Sequence, residues 1–220
     1  MQTFLLSVGF GLVTAAILAL SAVAFTLEYA VSRVANLAHG ELLTVGAYAA
    51  YVVQEHSSDV ALAAIAAAAA GGLAALVVAG LLYLLLQRTK FGKAIRAVAE
   101  NRDLARASGI RARRVISQTW ALAGVVAGFS GFVLAETVGT FSPTFGYSFL
   151  LITITAAVAG GLGRPYATLV GALVVGLVLE LAGAYSNASY ELAFAFGMLV
   201  LMLLFRPNGL FSPGRRMALR

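Results

Sequence analysis

Apolar residues come along this chain in long blocks. Seven of them, at about 4–27, 34–54, 60–86, 115–137, 146–163, 166–184 and 190–205, meet or approach the roughly 17–25 residues a membrane-crossing helix needs. Short polar interruptions fall near 28–33, 54–59, 138–145 and 185–189 and at Arg164, and a single long one covers 88–114. Gly160-Gly161-Leu162-Gly163-Arg164-Pro165 reads as the turn between the fifth and sixth blocks. The pattern predicts an all-α fold, a polytopic transmembrane helix bundle of about seven spans.

Composition agrees: 61% of residues are hydrophobic and 11% charged, against about 45–50% and about 25% in soluble domains. Charge adds sidedness. The basic residues are Arg33, nine positions within 88–114, Arg164, Arg206, Arg215, Arg216 and Arg220. With seven spans all fifteen lie on one side, and the other side carries only acids at its margins, Glu55, Asp59, Glu136 and Glu191. The positive-inside rule then predicts the N-terminus outside and the C-terminus in the cytoplasm. The net charge of +6 is thereby explained by topology, not by nucleic-acid binding. Residues 1–27 have no basic leader region or small-residue cleavage site, so they read as a first span. Tyr29, Trp120 and Tyr166 fall near inner ends and Tyr51, Tyr147, Tyr185 and Tyr190 near outer ends, as interfacial aromatics do. The small-residue run Ala63–Gly72 and the series Gly124, Gly128 and Gly131 read as helix-packing seams.

The polar stretch 88–114 carries nine of the fifteen Lys and Arg residues against only Glu100 and Asp103. Within it, Asn101 is a good N-cap, and Asp103 puts negative charge in the first turn. Leu104, Ala105, Arg106 and Ala107 favour helix, and Gly109 is suited to end it. A helix this short is unstable alone in water. It needs neighbours or a partner, and we read this loop as cytoplasmic and as the place where another protein acts on the membrane part.

Candidate chemistry inside the blocks is sparse. The second block holds Asn36 and His39, three apart and predicted to share a helix face within two turns of the inner surface, with Glu41 and Tyr48 on another face. Ionisable groups at membrane depth are expensive, which makes these residues functional candidates; headgroup-level pairing, for instance with Arg33, is the plainer alternative. Glu136 and Glu180 are placed either to line a water-filled path or at an interface. A metal site is not expected, because the other histidine, His56, falls on the opposite side. The absence of cysteine removes disulfides and thiol nucleophiles. There is no H-E-x-x-H and no G-x-S-x-G, and Gly92-Lys93 lacks the rest of a P-loop, so the chain has no recognisable ATP site and does not read as an enzyme. Asn187-Ala188-Ser189 matches a glycosylation triplet, a pattern common by chance.

Three stretches together carry a resemblance. Asn36-Leu37-Ala38-His39-Gly40-Glu41 followed by Gly46-Ala47-Tyr48 resembles a signature of permeases from branched-chain amino acid ABC importers. Phe91-Gly92-Lys93-Ala94-Ile95-Arg96-Ala97 with Glu100-Asn101 and Ala107-Ser108-Gly109-Ile110 resembles that family's cytoplasmic coupling loop. Gly160-Gly161-Leu162-Gly163 with Gly171, and the ending Arg206-Pro207-Asn208-Gly209-Leu210-Phe211, resemble its C-terminal part. A single alanine-rich segment, Val60–Leu86, fills an interval where family members carry additional spans.

The resemblance implies one transmembrane permease domain over 1–220, with a coupling loop at 88–114, in the cell (inner or plasma) membrane. It implies cytoplasmic ATPase subunits that bind the ATP, a sister permease subunit in a homo- or heterodimer, and an extracytoplasmic substrate-binding protein. It places Glu100, Asn101, Asp103, Leu104, Ala107, Gly109 and Ile110 at the ATPase contact, and Asn36, His39, Gly40, Glu41 and Tyr48 in the signature and candidate path. No cofactor in this chain is implied. The competing functions are uptake of urea, amides or sugars by the same kind of permease, or a stand-alone secondary carrier, for which the chain shows no convincing internal repeat.

Overall fold

A computed structural model describes residues 2–55, 77–78, 80–138, 142–186, 190–207 and 209–210. The helices with described bounds are α1 (Gln2–Ser32), α2 (His39–Glu55), α3 (Lys90–Glu100), α4 (Arg102–Ala107), α5 (Ala112–Val138), α6 (Phe145–Gly160), α7 (Pro165–Tyr185) and α8 (Glu191–Phe205). Residues 77–78 and 80–88 are helical as well. Six of the seven predicted blocks hold a helix over most of their length; of the third, only 77–78 and 80–86 are among the described residues, and these are helical. Ala63–Gly72, His56, the 187–189 triplet, Asn208 and everything from Phe211 on lie outside them.

Three helices are long and apolar enough for a full crossing: Phe4–Ser32 of α1, α5 and α7. α6 and α8 are apolar but shorter. α1 is the hub. It is apolar all round, the mark of a helix enclosed by others, and from Ala15 to Val31 nearly every residue is buried. Leu20, Val23, Ala24 and Leu27 share a buried cluster with residues of α3 and α5 on one side, which Ala105 of α4 joins. Leu18, Ala22 and Phe25 share a second buried cluster with residues of α6 and α7, which Ala195 of α8 completes. Ile17 packs with α2, α5 and α6 on a third.

Lipid provides no hydrophobic drive between helices, so close packing and hydroxyl bonds hold the bundle. Ser130 Oγ donates to the Ile17 carbonyl at 2.9 Å, and the Thr26 and Thr168 hydroxyls pair at 3.0 Å. The predicted glycine seam is half right. A Cβ on Gly46 would collide with the Gly128 backbone, and one on Gly131 with the Leu43 backbone, whereas Gly124 faces open space.

The second span differs from its prediction. Helix begins at His39, not at residue 34. Arg33 adopts φ 60°, which turns the chain at the end of α1. Asn36 Oδ1 then accepts the Ala38 N–H at 3.1 Å, holding a tight Asx-type turn in place of a first helical turn. Asn36 and His39 therefore do not share a helix face. The turn also carries the chain back into the bundle: His39 lies against Ser21 and Phe25 of α1, and Ser21 is roughly 16 Å from the end of α1 at 1.5 Å per residue. The sequence placed His39 near the inner surface, and the fold takes it well inside.

Candidate functional site

Glu28 is the centre of the site, and its position comes from α1. The helix runs on to Ser32 and is enclosed, so the carboxylate has no route to solvent and is fully buried. A lone buried carboxylate is strongly destabilising. Here it has two partners from one turn. Asn36 Nδ2 donates to Glu28 Oε2 at 2.8 Å, and His39 Nδ1 lies 3.2 Å from Oε1. An ionised carboxylate only accepts, so towards it Nδ1 carries a proton, while the role of Nε2 towards Ser21 follows from the protonation of the ring. Nε2 lies 3.4 Å from the Ser21 hydroxyl, which pairs with the Thr153 hydroxyl at 2.9 Å. Phe25 closes the His39 ring edge-on, with centroids 5.4 Å apart. The result is a continuous polar chain from Asn36 through Glu28, His39 and Ser21 to Thr153, midway along α6, enclosed by apolar side chains. Among the described residues no group of three metal-ligating side chains occurs.

The signature residues divide by face. His39 points inward. Gly40 sits against the backbone of Gly146, where a Cβ would come within 2.7 Å of the carbonyl oxygen. Thr44 Oγ1 accepts the Gly146 N–H at 3.0 Å. Glu41 and Tyr48 are exposed on the opposite side of α2, with Tyr48 stacked obliquely on Tyr51. Of the other acids singled out in the sequence, Glu180 accepts from Thr14 Oγ1 at 3.3 Å and Glu136 is buried.

The polar loop forms two helices. Thr89 caps α3 by accepting the Gly92 N–H at 3.0 Å. Gly92, Ile95 and Val98 face the core, while Lys90, Lys93, Arg96 and Glu100 face out. α4 follows the sequence reading closely: Asn101 Oδ1 accepts from the Asp103 and Leu104 N–H groups, and Gly109 leaves the helix at φ 83°. Glu100, Asn101, Asp103, Leu104, Ala107 and Gly109 are exposed. Ile110 is not; it packs partly buried against the core. Ala105 is the inward anchor of α4.

Arg33 joins the two regions. Its guanidinium donates to the Ala99 carbonyl near the end of α3. The turn that presents Asn36 and His39 to Glu28 is thus bonded to the segment that leads into α4. Neither Glu28 nor this contact was identified from the sequence. A signal for Glu28 was present: Ser21, Phe25 and Glu28 recur at spacings that share one helix face.

Comparison with known proteins places this geometry. The family described as "Branched-chain amino acid transport system / permease component" matches residues 7–83 and 73–203. The high-affinity branched-chain amino acid transport system permease protein LivH of Escherichia coli is 31% identical over 131 residues, covering 60% of this chain and 42% of that protein. The corresponding permease protein BraD of Pseudomonas aeruginosa is 32% identical over 131 residues, 60% of this chain and 43% of that protein. The ribose import permease protein RbsC of Bacillus subtilis is 35% identical over 115 residues, 48% of this chain and 36% of that protein. The match therefore spans less than half the length of these curated relatives. No solved structure matches the chain. A membrane bundle of apolar helices, with a family match running over most of its length, belongs to the branched-chain amino acid transport system permease component family.

Proposed function

We propose that this chain is the membrane-spanning permease subunit of an ABC importer in the cell inner membrane, and that it takes up branched-chain amino acids. ATP is bound and hydrolysed by partner subunits in the cytoplasm. A second permease subunit completes the path, and an extracytoplasmic binding protein delivers the substrate. The observation that carries the reading is α4. It is a short helix capped at both ends and anchored by Ala105, and it presents Leu104 at 65% exposure next to Glu100 and Ala107. An exposed leucine on a rigid polar projection suits docking into a partner's groove.

In this reading, movement of the docked α4 passes to α3 through Asn101, which ends one helix and caps the next. Arg33 carries it from Ala99 to the turn before α2. Glu41 and Tyr48 on the exposed face of α2 line the path. The similarity to the ribose permease favours sugar import as the second reading.

The test is co-expression with the ATPase encoded beside this chain, its binding protein and sister permease, followed by capture in mild detergent and uptake in vesicles. Capture of the ATPase by the wild type, its loss with Glu100→Arg plus Gly109→Val, and ATP-dependent uptake of leucine support the proposal. Uptake of ribose without leucine supports the second reading. Leucine uptake that proceeds without any ATPase sinks both.

A further inference from the structure

The first turn of α2 starts deep in the bundle. The Leu43 backbone lies against Gly131 of α5, and the neighbouring Ser130 holds the carbonyl of Ile17, the middle residue of α1 (Gln2–Ser32). Gly131 is seven residues, about 10 Å, short of the end of α5 at Val138. Glu41 comes two residues before Leu43, about 3 Å further from that end. In a hydrocarbon core about 30 Å thick this places Glu41 at acyl-chain depth, not among headgroups.

At that depth Glu41 is exposed, and no described residue bonds to its carboxylate or pairs with its charge. The rest of its helix face is apolar or aromatic: Val45 and Tyr48, four and seven residues on, are exposed as well. Tyr147 of α6 is also exposed, and a Cβ on Gly40 would lie 3.2 Å from its backbone nitrogen. An ionised carboxylate turned to lipid is expensive, so this face opens to water or to protein. The chain supplies no cation to meet it. Arg33, the nearest basic residue in the sequence, is held on the Ala99 carbonyl. Every other Lys and Arg lies in 88–114, at Arg164 or from Arg206 on, all on the cytoplasmic side. A second copy in the same orientation brings none to this depth either.

We infer that Glu41 is a substrate-recognition residue, whose carboxylate holds the ammonium group of the passing amino acid while the aliphatic side chain lies along Val45. This rests on the importer reading above and deepens it. A carboxylate one helical turn from an exposed valine matches a solute that carries a cation beside a branched hydrocarbon. A sugar has no charge to offset the carboxylate and no hydrocarbon to cover the valine.

The test uses the assembled transporter of this chain, its sister permease and the ATPase, purified without the binding protein so that the membrane path alone selects. Binding of labelled leucine is measured against two competitors. Leucinol keeps the ammonium and lacks the carboxylate, and 4-methylpentanoate keeps the carboxylate and lacks the ammonium. Leucine should bind, leucinol should displace it, and 4-methylpentanoate should not. Glu41→Gln should weaken leucine and leucinol about tenfold or more, the worth of a charged hydrogen bond, and Glu41→Asp, which keeps the charge, should recover both. A folding defect lowers the number of sites without changing the order of the competitors, and size-exclusion profiles check it separately. An unchanged affinity and competitor order in Glu41→Gln overturns the assignment. Displacement of leucine by potassium as readily as by leucinol makes this a general cation site and also overturns it. A wild type that binds no leucine here but takes it up with the binding protein present overturns the assignment alone; no uptake there overturns the importer reading as well.

Discussion

Replacing Glu28 tests whether the buried network is what holds α2 in place. The carboxylate accepts from Asn36 at 2.8 Å and from His39 at 3.2 Å, with Glu28 and His39 fully buried and Asn36 half-buried. Glu28→Ala removes both acceptors. Each buried donor left unsatisfied costs about 1–3 kcal/mol, so about 2–6 kcal/mol is lost before the cavity is counted. Glu28→Gln is different, because the network can reverse. Its amide oxygen can accept from Asn36 Nδ2, whose own Oδ1 stays on the Ala38 N–H. Its amide NH₂ then faces His39 Nδ1, which becomes an acceptor if the imidazole takes the other tautomer. Nε2–H donates to Ser21, and Ser21 donates to Thr153. Each link of the chain is kept with no charge present, so the cost should stay below about 1.5 kcal/mol, that of exchanging charged hydrogen bonds for neutral ones. Thermal unfolding in detergent, followed by the fluorescence of the single tryptophan, Trp120, reads the difference. For a chain of this size 1 kcal/mol corresponds to about 2–4 °C. Glu28→Ala should lower the midpoint by about 4–24 °C and Glu28→Gln by less than about 6 °C. Equal losses in the two variants would refute the reversible network, and no loss in either would show that Glu28 is not structurally engaged.

His39→Ala leaves the Glu28 carboxylate buried with Asn36 alone and should cost about 3–5 kcal/mol; the double variant with Glu28→Gln should recover part of it in the same unfolding assay. Gly46→Val should abolish accumulation of folded protein, since its Cβ would collide with the Gly128 backbone, while Gly124→Ala, in open space, should be close to neutral by size-exclusion yield. Gly109→Val has room but not the φ of 83°; a left-handed residue costs about 1–2 kcal/mol, so the chain should fold while ATPase capture falls. Arg33→Ala removes the bond to Ala99, and in the assembled transporter ATP hydrolysis should persist while uptake per ATP drops.

The parts of this structure that were legible in the sequence are those written in local residues. Asn101, Asp103 and Gly109 specify a short capped helix within ten positions, and that helix forms. The apolar blocks likewise mark where the helices lie. Glu28 was hidden for a physical reason. A charged residue at the end of an apolar run reads as the edge of a span, and hydropathy cannot separate a carboxylate that meets water from one that meets two donors inside the protein. The turn at 33–38 was hidden because Val34, Leu37 and Ala38 are apolar enough to extend the helical pattern. It took the left-handed Arg33 and the Asn36 side chain to break it. Gly124 looked equivalent to Gly128 and Gly131, but which glycine meets a neighbouring backbone depends on how α5 is rotated against α2, and nothing local encodes that.

The turn before α2 is held from two directions by bonds of different kinds. On one side, Asn36 and His39 are tied to Glu28 in a buried network, and α2 beyond them meets Gly146, Gly128 and Gly131 backbone to backbone. Such contacts have little slack, because close-packed interiors shift between discrete arrangements and do not deform smoothly. On the other side, Arg33 reaches Ala99 through a long, exposed side chain. A displacement of α3 therefore has two outcomes: the Arg33 bond breaks and α2 stays, or the bond holds and α2 moves as one body with the turn. An exposed hydrogen bond nets only about 0.5–1.5 kcal/mol, far less than dismantling the Glu28 network. Small fluctuations of the loop are thus absorbed at Arg33. A displacement that keeps Arg33 on Ala99, as a docked and rigid α4 would impose, reaches the turn before α2 as well as the core that α3 packs against.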